Sequence, residues 1–145
     1  MDHQSIAPQT PCPCGSGHRY GDCCQQFHLG APAAAPEALM RSRYTAYVAG
    51  LADYLLATWH SSTKPGTLEL DDSPHWVFLQ VLSSSHSGNL GHVHFRAIHT
   101  AGAGWQYLEE KSRFVRENGR WFYVAGEVSS GALKPGRNDP CPCGS

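Results

Sequence analysis

Cysteine is absent from positions 25–140, although the chain of 145 residues contains six cysteines, all near its two ends. Disulfides that stabilise a small secreted domain would cross-link its body, and this body has no cysteine to cross-link. The first residues, Met1–Ile6, lack the basic segment and apolar run of a signal peptide. No apolar run approaches the roughly 20 residues that span a bilayer. These absences predict a cytoplasmic protein without a membrane span, and they favour metal binding by the terminal cysteines.

Charge of either sign is also scarce. Charged residues make up 16% of the chain, and 11 Lys and Arg against 12 Asp and Glu leave a formal net charge of -1. Together with 41% hydrophobic residues, this composition argues against an extended disordered chain. The balance of charge also argues against strong binding to bare nucleic acid, which needs an excess of positive charge.

A repeated hexapeptide is the most distinctive feature that is present. Pro-Cys-Pro-Cys-Gly-Ser occurs at 11–16 and again at 140–145. A match of this length in uncommon residues indicates one small module used twice, with only the opening cysteine pair in the second copy. Cys141 and Cys143 are therefore predicted to form an incomplete metal half-site. We expect free thiols in a disordered tail, and a site completed by another chain is the alternative.

The first copy carries four cysteines in the pattern C-x-C, eight residues, C-C. Cys12, Cys14, Cys23 and Cys24 supply the number of thiolates that closes a tetrahedral structural zinc site. The alternative is disulfide bonding, for which only cross-pairs are plausible because bonds within either pair would be strained. A closed metal site leaves no position for a substrate. Chelation of the metal is expected to disorder 11–28 and to leave the middle domain folded.

Residues between the two cysteine pairs suit a metal-binding loop. Three glycines are expected to adopt positive φ, so that amide groups can point at sulfur. Two basic side chains are expected to offset some of the thiolate charge. The glycines are Gly15, Gly17 and Gly21, and the basic residues are His18 and Arg19.

The middle of the chain has the pattern of helices followed by strands. Pro36 suits the first turn of a helix that Gly50 ends, and a short second helix follows up to Trp59. Four β-forming segments come next, the last two joined by an Asn118-Gly119 turn. This order predicts an α+β domain with helices packed on one face of a curved antiparallel sheet. The strands are predicted at Trp76–Leu82, Gly91–His99, Trp105–Val115 and Arg120–Val124, and a linker at Ser129–Arg137.

Particular segments resemble known families. Pro11–Cys24 resembles the SEC-C motif, and 136–145 resembles the opening of a second copy. The segments 39–47, 54–60 and 112–115 resemble the YchJ family of uncharacterised bacterial proteins. The resemblance implies a nuclear-transport-factor-2-like cone, in which helices pack on a curved antiparallel sheet.

The resemblance also implies a division of the chain and a role for its first part. It places an SEC-C metal-binding module at 1–30, the cone domain at 31–128, and a linker with a truncated second motif at 129–145. It implies zinc, or iron in cells, as the metal and a protein or ribosomal partner for the module. The implied ligands are Cys12, Cys14, Cys23 and Cys24.

A cone of this kind leaves room for a pocket between helices and sheet. The simpler interpretation is that the aromatic residues form a structural core and that Arg–Glu ion pairs neutralise the buried charges. We expect the arginines to pair with acidic side chains or backbone carbonyls at the helix–sheet junction. His92 and His94 share a strand face, but we find no carboxylate at matching spacing and expect both to be exposed. The candidate pocket residues are Arg43, Tyr44, Trp59, Arg96 and Arg113.

Two functions remain after these exclusions. The preferred one is a metal-binding adaptor whose SEC-C module docks a protein or ribosomal partner. The alternative is a small-molecule-binding protein or enzyme that uses the pocket of the cone. No Asp lies in a predicted strand, and no nucleophile elbow, phosphate loop or dinucleotide motif occurs, so no catalytic residue is assigned. A cavity with convergent Arg, Tyr and Glu would favour the alternative.

Overall fold

The helices precede the strands in the computed structural model, which describes residues 6–68, 75–101 and 104–133. A 3₁₀ helix, Tyr20–Asp22, is followed by α1 (Cys24–His28), α2 (Pro36–Ala49) and α3 (Ala52–Ala57). The strands are β1 (Trp76–Ser87), β2 (Leu90–Ala101), β3 (Gly104–Glu117) and β4 (Arg120–Leu133). They form one antiparallel sheet in the order β1-β2-β3-β4. The predicted α+β class is confirmed.

Helix α2 begins and ends where the sequence predicts. Pro36 occupies its first turn, where the missing amide proton costs no hydrogen bond. Glu37 accepts a hydrogen bond from Nε of Arg41 at 3.0 Å, one turn along the helix. Gly50 ends the helix at φ 74°, a left-handed conformation that glycine adopts without strain. The chain can therefore turn at once into α3.

Turns and bulges shape the sheet. Asn118 and Gly119 both have positive φ, 54° and 80°, as a two-residue hairpin turn requires. The pairing of β1 with β2 shifts between Val81 and Ser83, and that of β3 with β4 shifts between Arg113 and Phe114. Such bulges bend a strand and increase its twist, which allows four long strands to pack against one short helical layer.

The strands are longer than predicted, and part of the predicted linker is wrong. Residues 129–133 belong to β4 and pair with β3, from Glu109 opposite Ser129 to Trp105 opposite Leu133. Serine and glycine have weak strand preferences, so these positions look like a linker in isolation. The neighbouring strand supplies their hydrogen bonds and overrides that preference. The remainder of the predicted linker, 134–137, lies outside the described residues.

One hydrophobic core joins the cysteine segment to the middle domain. Cys12, Cys14 and Cys24 are buried in the same cluster as residues of α2 and of the sheet. A smaller cluster joins Ala46 of α2 to Leu55 of α3. Among the described residues no helix has the length and hydropathy needed to cross a membrane. The residues that α2 and the sheet contribute to the main cluster include Leu39, Met40, Tyr44, Leu79, Val93, Phe95 and Phe114.

Replacing Gly91 by alanine is predicted to destabilise the fold. A β-carbon at Gly91 would overlap the ring of Pro36 and approach the ring of Trp121 to 3.1 Å. Overpacking of this kind costs about 1–3 kcal/mol, so Gly91→Ala should lower the urea midpoint of unfolding. Gly66→Ala is the matched control, because nothing lies within 4 Å of the added carbon. Equal midpoints for the two variants would contradict the packing described here.

Candidate metal centre and the cavity beside it

The four cysteines of the first hexapeptide module converge on one point. Their Sγ atoms all lie within 4.8 Å of one another. The Cys14–Cys23 and Cys23–Cys24 sulfur distances are 3.6 and 4.0 Å. Zn–S bonds of about 2.3 Å in a tetrahedron separate sulfur atoms by about 3.8 Å, so the arrangement fits a four-thiolate metal ion. Among the described residues this is the only such ligand group.

The loop that carries Cys12 and Cys14 is held by its own backbone. The amide of Cys12 donates to the carbonyl of His18, and the amide of Gly15 donates to the carbonyl of Cys12, at 2.9 and 3.1 Å. Gly15 and Gly17 adopt φ of 80° and 90°, as predicted. Gly21 does not have positive φ, contrary to the prediction, and a β-carbon there would lie in a tight contact, 3.0 Å from Cβ of Pro8.

Hydroxyl groups surround the sulfur atoms. Oγ of Ser16 lies 3.1 Å from Sγ of Cys23. Oγ1 of Thr45, on α2, lies 3.3 Å from Sγ of Cys24 and 3.7 Å from Sγ of Cys12. Hydroxyl donors disperse the negative charge of thiolates bound to a divalent ion. Nothing in the local pattern of the module points to Thr45, because it lies on a later helix.

The cation at the site is also on α2. Nη1 of Arg41 donates to the carbonyl of Cys14 at 2.6 Å. Burial opposes the charge of Arg41, but its hydrogen bond with Glu37 and the nearby Cys14 thiolate together raise its pKa. The prediction that Arg19 offsets thiolate charge is wrong, since Arg19 bonds to Gln9 and Asp22 at the surface. His18 is exposed as well. Sequence spacing favours a basic residue of the loop as the cation beside the thiolates. The fold instead places Arg41, from α2, at this position.

The thiols differ in acidity. Hydrogen bonds from Cys12 and Cys24 lower the pKa of Cys14 to about 3. Hydrogen bonding with Cys12 and Cys14 raises the pKa of Cys24. Cys14 is thus more acidic than Cys24. A metal ion binds the thiolate form of cysteine, so binding displaces thiol protons and affinity for the metal rises with pH.

His28 joins the module to α2 by a second route. Nε2 of its ring lies 2.9 Å from the carbonyl of Ser42, and Nδ1 lies 2.7 Å from the hydroxyl of Tyr20. Burial lowers the pKa of His28, which keeps the ring neutral. The neutral ring can then donate to Ser42 through Nε2 and accept from Tyr20 through Nδ1.

Three of the five predicted pocket residues line a cavity of about 280 Å³ between α2 and the sheet: Arg43, Tyr44 and Trp59. Nη1 of Arg43 donates to the carbonyl of Leu55 at 2.8 Å, which agrees with the predicted pairing to a backbone carbonyl. Burial lowers the pKa of its guanidinium. The same cavity is lined by Glu110 and Tyr123, so Arg, Tyr and Glu do converge, which is the arrangement that favours the small-molecule-binding alternative.

Arg96 and Arg113 are not in the cavity, and their prediction as pocket residues is wrong. Alternate residues of a strand face opposite sides, and Phe95, Ala97 and Phe114 are the ones that line the cavity. Arg96 instead donates to Oε1 of Glu109 at 2.9 Å. Arg113 is exposed, so its predicted pairing at the helix–sheet junction is also wrong. Alternation along β3 separates these residues into two faces, but both faces carry apolar residues. The sequence pattern alone therefore does not show which face lines the cavity.

The remaining sequence candidates have mixed outcomes. The expectation that His94 is exposed is wrong, because it is half-buried and its Nε2 lies 2.6 Å from Oε2 of Glu109 on the neighbouring strand. Hydrogen bonds from Arg96 and His94 hold the pKa of Glu109 below its usual value. His92 is exposed, as predicted. Cys141 and Cys143 lie outside the described residues.

Comparison with known families agrees with both resemblances. The family described as YchJ, middle NTF2-like domain, matches residues 35–126, and the SEC-C motif matches residues 10–26. A UPF0225 protein of Streptomyces coelicolor is 47% identical over 125 residues, which cover 83% of this chain and 97% of that protein. A UPF0225 protein of Shewanella sp. is 43% identical over 148 residues, with 92% and 90% covered.

Two solved structures share the fold. The solution structure of an SEC-C motif containing protein from Rhodopseudomonas palustris has a TM-score of 0.75 and 36% identity, covering 81% of this chain and 98% of that one. The crystal structure of an SEC-C motif containing protein from Psychrobacter arcticus has a TM-score of 0.72 and 26% identity, with 95% and 92% covered. The nuclear-transport-factor-2-like fold and the SEC-C module predicted from the sequence are thereby confirmed.

Replacing Cys23 and Cys24 together by serine is predicted to abolish metal binding. The wild-type chain should hold close to one metal ion, because the first module contains all four ligands that a closed site needs. Elemental analysis of purified protein measures this directly. Cys141→Ser with Cys143→Ser is the matched control and should retain one ion per chain. Two ions in the wild type, or metal loss in the control, would contradict the assignment.

Proposed function

The chain belongs to the YchJ family, and we propose that it is a metal-binding adaptor whose SEC-C module docks a protein or ribosomal partner in the cytoplasm. The observation that carries the proposal is the closed arrangement of four cysteines. Four thiolates complete a tetrahedral zinc ion and leave it no open position for a substrate. Bound there, the ion supplies structural stability rather than a reactive centre.

The metal in this proposal is zinc, or iron in cells, held by Cys12, Cys14, Cys23 and Cys24. Both metals accept four thiolate ligands. Thr45 and Ser16 place hydroxyl groups against the sulfur atoms, and Arg41 places a cation beside them. These contacts orient the ligands and offset the excess negative charge of four thiolates on a divalent ion. The module would then be fixed against α2 as a rigid unit.

A rigid module presents an apolar surface that suits a partner. Leu29, just after α1, is 80% exposed. It lies at a groove that also includes Phe27, Pro32 and Phe122, so both the module and the sheet contribute to it. An exposed leucine beside an apolar groove is typical of a contact surface, whereas scattered single leucines are not. A partner docked there would contact both parts of the chain.

The docking role is tested by replacing Leu29 with glutamate. We expect Leu29→Glu to reduce co-sedimentation with ribosomes, or co-purification of a protein partner, at least about fivefold, since a charge in an apolar contact costs more than 1 kcal/mol. Metal content should stay at one ion per chain. Val128→Glu is the matched control, because Val128 is 57% exposed and lies on β4, away from the groove. Equal recovery of the partner with both variants would contradict the proposal.

A further inference from the structure

The cavity between α2 and the sheet is lined mostly by aromatic rings. None of the four cysteines is among its lining residues, so a ligand bound there would be a function beyond the adaptor role. Flat rings in a cavity wall favour a flat ligand, which can stack on some and meet others edge-on. The aromatic lining residues are Tyr44, Tyr47, Trp59, Trp76, Phe95, Phe114 and Tyr123.

The Glu110 carboxylate lines this mostly apolar cavity, and only one of its two oxygens accepts a hydrogen bond from a described residue. Glu110 is only 9% exposed, and its Oε2 accepts a hydrogen bond from the hydroxyl of Tyr123 at 2.6 Å. Burial and the Glu110 carboxylate raise the pKa of Tyr123, so that hydroxyl keeps its proton. Among the described residues nothing donates to Oε1 of Glu110. Glu110 lines the cavity, so this oxygen can accept a hydrogen bond from a ligand that brings a donor.

The fold reserves space for the Glu110 side chain. A β-carbon at Gly126 of β4 would overlap Oε2 of Glu110 and lie within 2.8 Å of Cγ and Cδ. The side chain therefore lies directly against the backbone of the neighbouring strand. Its carboxylate is positioned by this contact and by the hydrogen bond from Tyr123.

The charge of the cavity limits the charge of its ligand. Arg43 is 6% exposed, and its guanidinium lies 4.6 Å from the ring centre of Tyr123 and 5.1 Å from that of Trp59. Arg43 and Glu110 line the same cavity and are residues of opposite charge. A ligand with a net charge would leave one buried charge uncompensated, which is strongly unfavourable. A neutral ligand leaves the balance intact.

We propose that this cavity binds a neutral, planar aromatic or heteroaromatic molecule that donates an N–H or O–H hydrogen bond to Oε1 of Glu110. The ring stacks within the aromatic wall, and the donor of the ligand pairs with the Glu110 carboxylate. Glu110 is thus the group that distinguishes ligands with a donor from those without one.

A matched pair of probes tests the hydrogen bond. Indole carries one N–H donor, and 1-methylindole has the same ring without it. Each is titrated into the full-length, metal-loaded protein, and binding is followed by amide chemical shifts of β2 and β3. We expect indole to bind with a Kd of about 1 mM or lower. We expect 1-methylindole to bind at least tenfold more weakly, because it leaves the carboxylate unpaired.

Variants assign the effect to Glu110. Glu110→Met should weaken indole binding at least tenfold and remove the preference for indole over 1-methylindole. Glu109→Met is the matched control, since Glu109 is the adjacent residue on the opposite face and pairs with Arg96 and His94. It should leave both affinities unchanged. If Glu110→Met does not fold, the double variant Glu110→Met with Tyr123→Phe removes both partners of the hydrogen bond and serves instead.

Three results would overturn the proposal. Absence of indole binding to the folded wild-type protein would show that the cavity does not take this class of ligand. Equal affinity for the two probes would show that Glu110 does not recognise a donor. An equal loss of affinity in Glu109→Met would show that binding occurs elsewhere on the sheet. A preference for indole that Glu110→Met removes and Glu109→Met retains would support it.

Discussion

Four thiol groups gathered against one helix are the constraint on which the rest of this structure depends. Cys12, Cys14 and Cys24 are buried in the same core as α2 and the sheet. A structural zinc ion contributes roughly 10–16 kcal/mol of binding free energy, which is comparable to the whole stability of a domain of this size. The state of the cysteines should therefore affect the middle domain as well as the module.

Helix α2 links the cysteine site to the cavity. Its residues Arg41 and Thr45 contact the cysteine loop, while Arg43 and Tyr44 line the cavity. Arg41 and Thr45 lie one turn apart on one face of α2, and Arg43 and Tyr44 lie on another face. A rotation of α2 that disturbed the sulfur contacts would therefore also move the cavity wall. The shared core predicts that removal of the metal also loosens α2, in contrast to the expectation from the sequence that the middle domain is unaffected by chelation.

Features that depend on local chemistry and on the repeated motif could be predicted from the sequence. The cysteine spacing, Pro36, Gly50 and the Asn118-Gly119 turn are local signals, and the structure agrees with each of them. Features that depend on distant contacts were missed. Arg41 and Thr45 reach the cysteines through tertiary packing, and Glu110 enters the cavity through a strand parity that the pattern of β3 left ambiguous. The strand at 129–133 was missed because its pairing partner, not its composition, makes it a strand.

Hydrogen exchange with and without metal tests most directly whether the cysteine site holds α2 in place. The amides of α2 and those of 12–28 are compared in zinc-loaded protein and after removal of zinc with a chelator under reducing conditions. If the two parts share one core, protection in α2 falls together with protection in the module, while β3 changes less. Loss of protection confined to 12–28, with α2 unchanged, would contradict the account and show that the module is an independent unit.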